Sequence, residues 1–129
     1  MLNQPRTVLS EFCRLIILVT LLCAFWLLSG IAQSKFPTGK YSNGDFMITF
    51  NDDGSHSVSL NDNIVVKGNY TITQDQIMLT DKEGQYACDA AKPGKYKWKV
   101  EDKGLKFEKV EDECEGRAGA LSGQSWVKK

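Results

Sequence analysis

From Phe46 onward the apolar residues fall at every second position, and turn-forming residues interrupt them about every ten residues. Helix faces repeat every 3.6 residues and strand faces every two, so a chain patterned this way buries its apolar side chains as strands. Phe46, Ile48 and Phe50 share one face. The turn Asn51-Asp52-Asp53-Gly54 leads to Ser55–Leu60, with His56, Val58 and Leu60 on one side and serines on the other. Asn61-Asp62-Asn63 turns the chain again, and Ile64, Val66, Gly68, Tyr70 and Ile72 then alternate with Val65, Lys67, Asn69 and Thr71. Gln74-Asp75 precedes Ile77 and Leu79. In Gly94–Glu101, Tyr96, Trp98 and Val100 interleave with Lys95, Lys97 and Lys99, and Asp102-Lys103-Gly104 closes a hairpin onto Leu105 and Phe107. A last short strand runs through Trp126 and Val127. Only Glu115–Leu121 reads as a helical turn or two, and its two glycines weaken it.

Seven or eight sequential antiparallel strands in one flat sheet would leave two edges unpaired and one apolar face wet. Closing the sheet removes both problems. The expected fold is therefore all-β, an up-and-down barrel of seven or eight strands with a short helical turn before the last strand. A two-sheet sandwich ranks second.

The N-terminus differs from the rest. Arg6 and Arg14 form a positively charged stretch ahead of a nearly unbroken apolar run, Leu15–Leu28, shorter than the roughly 20 residues that span a bilayer. Gly30-Ile31-Ala32 fits a small-x-small cleavage pattern. Residues 1–32 are expected to be a signal peptide, with an uncleaved anchor as the alternative and the sole membrane attachment. Residues 33–129 are the domain, placed outside the cytosol as a secreted or periplasmic protein. The chain carries 16 basic and 16 acidic residues, and only Arg6, Glu11 and Arg14 of these precede residue 33. That near-neutral balance argues against a nucleic-acid partner. The lysines between 92 and 109 alternate with apolar residues, as a solvent face requires.

Cys13 and Cys23 lie in the leader, which leaves Cys88 and Cys114 as the pair in the domain. In a small exported domain such a pair reads as a disulfide. If the hairpin turns at 102–104, facing residue numbers sum to about 206. Cys114 then faces Lys92, near Cys88 and at the same end of the barrel.

The first strand opens with Gly39-Lys40-Tyr41, and Arg117 is the only arginine beyond residue 14. With Gly94-Lys95-Tyr96-Lys97-Trp98, the run Asp112–Arg117 and Trp126, the chain resembles the calycin superfamily, in particular a group of uncharacterised bacterial secreted proteins with lipocalin-like domains. The resemblance implies a closed barrel in which Arg117 packs over Tyr41 and shuts the floor.

His56, the one histidine, has no nucleophile or second imidazole near it in sequence, so it reads as a packed or rim residue rather than a catalytic or metal-binding one. Glu111, Asp112, Glu113 and Glu115 cluster around Cys114, and Asn51–Gly54 is acidic too. Both read as solvated loops, so no metal site and no catalytic residue is assigned. The aromatic residues either line a pocket or fill a narrow barrel. The first expectation is a non-enzymatic barrel without cofactor that binds a small apolar or amphipathic molecule, with Tyr70, Tyr96, Trp98 and Phe107 lining the site. The alternative is a protein-interaction or hydrolase-inhibitor module with a filled core, touching a secreted enzyme through the 82–93 loop and Glu111–Glu115. Cavity volume separates the two.

Overall fold

Among the described residues, eight strands follow one another around a closed antiparallel barrel. They are β1 (Gly39–Asn43), β2 (Phe46–Phe50), β3 (Ser55–Leu60), β4 (Asn63–Thr73), β5 (Gln76–Glu83), β6 (Gly94–Glu101), β7 (Gly104–Glu111) and β8 (Ser125–Lys128). Helix α1 (Glu115–Leu121) lies between β7 and β8. The structure is a computed structural model and describes residues 35–129, with Cys13 and Ile16 as isolated helical positions before them. The leader or anchor expected over residues 1–32 otherwise lies outside the described residues. The barrel closes where β1 meets β8, with Tyr41 opposite Lys128 and Ser42 opposite Val127. That seam satisfies the two edges an open sheet would expose.

Local chemistry sets the turns. Asn61 and Asp62 both adopt left-handed backbone (φ 49° and 66°), the conformation a two-residue hairpin of matching twist requires. The β6–β7 turn is tighter than the sequence suggests. Asp102, at φ 46°, and Lys103 turn the chain alone, and Glu101 faces Gly104. The register is thus one residue lower than the expected sum of about 206, and Trp98 faces Phe107 with both rings inside. A bulge between Lys95 and Tyr96 then sets Lys95 opposite Glu111, which recovers the expected register toward the cysteines.

Because the strands alternate in direction, the connections gather at two ends. The turns at 51–54, 74–75 and 102–103 share one end with the incoming segment 35–38. That end is plugged. Phe36 is buried, with its ring centroid 5.1 Å from Phe50, 5.1 Å from Trp98 and 5.7 Å from Tyr70. Edge-to-face rings at these spacings are worth about 0.5–1.5 kcal/mol per pair beyond area burial. The phenols are tied to backbone: the Tyr70 hydroxyl donates to the Asn51 carbonyl (2.5 Å) and the Tyr41 hydroxyl to the Pro37 carbonyl (2.6 Å).

The opposite end carries the turns at 44–45 and 61–62, the 84–93 loop and the β7–β8 connection with α1. Cys88 and Cys114 form a disulfide there, with Cα atoms 6.1 Å apart. It joins the loop to the residue that caps α1, and it fits an oxidising compartment. The bonded residues are 26 apart in sequence, for which the chain-entropy model gives about 3–4 kcal/mol. Cys88→Ser should lower the unfolding free energy by about that amount in chemical denaturation. Reductant should do the same to the unmutated protein, and equal midpoints with and without it would show the bridge to be idle.

Candidate functional site

The second end is hollow. Inward positions of β2–β5 and β8 leave a cavity of about 400 Å³ beneath α1 and the 84–93 loop. Phe46, Ile48, Val58, Val65, Val66, Leu79 and Trp126 form its apolar wall, and Tyr86, Cys114, Ala120 and Leu121 close over it. The volume lies within the range of about 300–1,000 Å³ that small-molecule sites occupy.

A charged group occupies one side of this apolar space. Arg117 projects from α1 and grips Asp112 with both faces of its fork: Nε donates to Oδ2 (2.7 Å) and Nη2 to Oδ1 (2.8 Å). Nη2 also donates to the Lys92 carbonyl at 2.6 Å, and Nη1 lies 3.4 Å from Asp81 Oδ2. A single guanidinium thereby joins α1, the end of β7, the long loop and β5. The side chains of Arg117, Asp112, Asp81 and His56 are all at least nine-tenths buried. The Tyr96 hydroxyl donates to Asp112 Oδ2, and the Cys88 and Cys114 amides donate to Asp81 (2.8 Å) and Asp112 (2.8 Å). His56 Nε2 stands 3.5 Å from Asp81 Oδ1, an ion-pair distance rather than a hydrogen bond.

These contacts decide the protonation states. Burial works to raise both aspartates, but it is outweighed. Arg117, Tyr96 and the Cys114 amide hold Asp112 below the ordinary 3.8, and His56, the Cys88 amide and Arg117 do so for Asp81. Burial, followed by the Asp112 carboxylate, pushes the Tyr96 phenol far up, so it remains a donor. Arg117 stays charged, because its two carboxylates overcome the desolvation that disfavours its cation.

Two glycines make room for this arrangement. A Cβ on Gly68 would stand 2.7 Å from His56 Cε1 and collide with the Thr80 carbonyl, so the imidazole lies across β4 only because nothing projects there. A Cβ on Gly94 would reach Arg117 Nε at 2.9 Å and press on the Asp112 carboxylate. Both are close-approach positions.

Of the residues singled out in the sequence, Tyr70, Tyr96, Trp98 and Phe107 are all buried, yet none lines this cavity. Tyr70 and Trp98 pack around Phe36 at the plugged end, Phe107 touches Phe50 and Tyr96, and Tyr96 supports Asp112. Trp98 and Phe107 also edge a second depression among Lys97, Lys99, Lys106 and Glu108. Tyr41 is buried with its hydroxyl on Pro37, while the polar contacts of Arg117 run to Asp112, Asp81 and Lys92. The acidic run is not uniform. Glu111, Glu113 and Glu115 are exposed, but the Asp112 side chain is fully buried, because Arg117 demands a partner. Asp81 and Phe36 escaped the sequence reading. Asp81 carried a signal, as it continues the inward alternation of Ile77 and Leu79 where an apolar residue is expected.

No family model, curated protein or solved structure matches this chain. The site therefore stands on its own geometry.

Arg117→Met should cost about 3–5 kcal/mol, the range for leaving buried charges without their partner, as read by denaturant unfolding. The pH dependence has a defined sign. Asp81 and Asp112 titrate lower in the folded state than in the unfolded chain, so the unfolded state binds more protons under acid. Their stabilising contribution is complete above about pH 5 and is lost as pH falls through the folded values below 3.8. Melting temperatures should drop over that interval, and the drop should be smaller in Asp112→Asn.

Proposed function

We propose that this protein is an exported, non-enzymatic binding barrel that holds a small, mainly apolar molecule in the cavity beneath α1. The single observation carrying this reading is the cavity itself: about 400 Å³ walled by apolar side chains and opening at one end of a barrel plugged at the other. An interaction or inhibitor module needs no such space, and a filled core would have favoured that alternative. The polar cluster strengthens the reading, since ligand sites combine apolar walls with a few convergent polar groups. Burial of apolar ligand surface supplies the driving force, at about 25 cal/mol per Å².

The lipocalin-like assignment belongs to this proposal. It is supported by eight strands in sequential order, by Gly39-Lys40-Tyr41 opening the first and by a single late arginine at Arg117. Export is supported by the disulfide and by the apolar run that follows Arg14.

The test is titration with the apolar fluorophore N-phenylnaphthylamine. Trp126 lines the cavity, so binding should quench tryptophan emission saturably and raise probe emission in step. Val58→Phe, which fills the same space, should weaken probe binding about tenfold or more, the equivalent of 1.4 kcal/mol. A linear, unsaturable response in the unmutated protein would overturn the proposal.

A further inference from the structure

Four side-chain atoms of cavity-lining residues are buried and have no hydrogen-bond partner among the described residues: His56 Nδ1, Asp81 Oδ1, Arg117 Nη1 and Trp126 Nε1. Native interiors leave few such groups, because each one shut from water without a partner loses its hydration for nothing. Here four occur together, on β3, β5, α1 and β8, around one apolar space. Elsewhere in the barrel, among the described residues, Trp98 Nε1 is the one further buried side-chain atom without a partner, and the phenols of Tyr41, Tyr70 and Tyr96 all find acceptors.

The chemistry of the four atoms is mixed. Arg117 Nη1 and Trp126 Nε1 can only donate, and Asp81 Oδ1 can only accept. His56 turns Nε2 toward Asp81 Oδ1 at 3.5 Å, and its Nδ1 has no partner. The charges are mixed as well. One guanidinium stands among two carboxylates. An anionic head would gain Arg117 but meet Asp81. A cationic head would meet Arg117 and a tryptophan N–H.

We propose that the cavity selects ligands whose polar end is a neutral group that both donates and accepts hydrogen bonds, a hydroxyl or a primary carboxamide on an apolar body. Such a head accepts from Arg117 Nη1 or Trp126 Nε1 and donates to Asp81 Oδ1, without adding a charge to the guanidinium and two carboxylates already there. Specificity of this kind is strong because a ligand lacking the group leaves buried polar atoms unpaired. The inference rests on the cavity reading above and adds the polarity of the ligand.

The experiment is displacement of N-phenylnaphthylamine from the unmutated protein at neutral pH by five molecules sharing one ten-carbon chain: decanol, decanamide, methyl decyl ether, decanoate and decylammonium. Decanol and decanamide should displace the probe at concentrations about tenfold lower than decanoate or decylammonium, in keeping with hydrogen bonds to charged groups. The ether, which accepts but cannot donate, should fall between. Equal or tighter binding of decanoate, of decylammonium or of the ether would overturn the head-group assignment and leave the cavity reading intact. Failure of the fluorophore itself to bind would overturn the cavity reading. Asp81→Asn should narrow the gap between decanol and decanoate several-fold by removing the opposing charge. An unchanged gap in a folded Asp81→Asn protein would also count against the assignment, and the comparison in the unmutated protein holds whether or not the variant folds.

Discussion

The grip of Arg117 on Asp112 organises one whole end of this barrel. Its bidentate geometry has no slack, with two parallel donors at 2.7 and 2.8 Å. Nη2 also holds the Lys92 carbonyl, and the remaining nitrogen, Nη1, faces Asp81. A helix of seven residues has little stability of its own. Its position over the cavity follows from this clamp, from Leu121 packing inward and from the disulfide at its cap. A buried ion pair is weak support for stability as such, since an apolar replacement often does as well. What it supplies here is placement, because a charged fork accepts one arrangement of its partners where a greasy contact would accept several.

The two ends of the barrel solve opposite problems with different residues. At one, the rings of Phe50, Tyr70 and Trp98 meet around Phe36. At the other, Ile48, Val58, Val65, Val66 and Leu79 make up most of the wall beside Phe46 and Trp126, and residues of the connections close the top. The gradient from large rings to Val and Ile along the axis is what turns a narrow barrel into a container. Gly68 extends that logic to the polar cluster, because the space of one missing side chain admits the edge of an imidazole.

Much of this was legible in the chain. Alternation from Phe46 onward pointed to seven or eight strands and a closed topology, the EGRAGAL segment marked α1, and the two domain cysteines announced their bond. These features depend on local pattern, which a strand's two faces write directly into sequence. The cavity was not legible in the same way. An inward aromatic ring and a cavity-lining ring have the same periodicity, so alternation alone does not separate Tyr70 and Tyr96, which are core, from Trp98 and Phe107, which are buried and also edge the second depression. Their role is decided by which end of the axis each reaches, a property of shear and register that hinges on single-residue events such as the bulge at Lys95. The burial of Asp112 among exposed acids was hidden for the same reason. Only the arrival of Arg117 from a later element distinguishes it from Glu111 and Glu113.

The plug at Phe36 has a kinetic corollary. A cul-de-sac has one doorway, so under the proposed function uptake and escape share a single threshold at the end away from Phe36. Tightening the bolts on that threshold slows arrival and departure together and leaves the balance between them untouched, whereas reshaping the wall behind it alters the balance. Under that proposal, residence time and affinity belong to separate sets of residues in the same small cylinder.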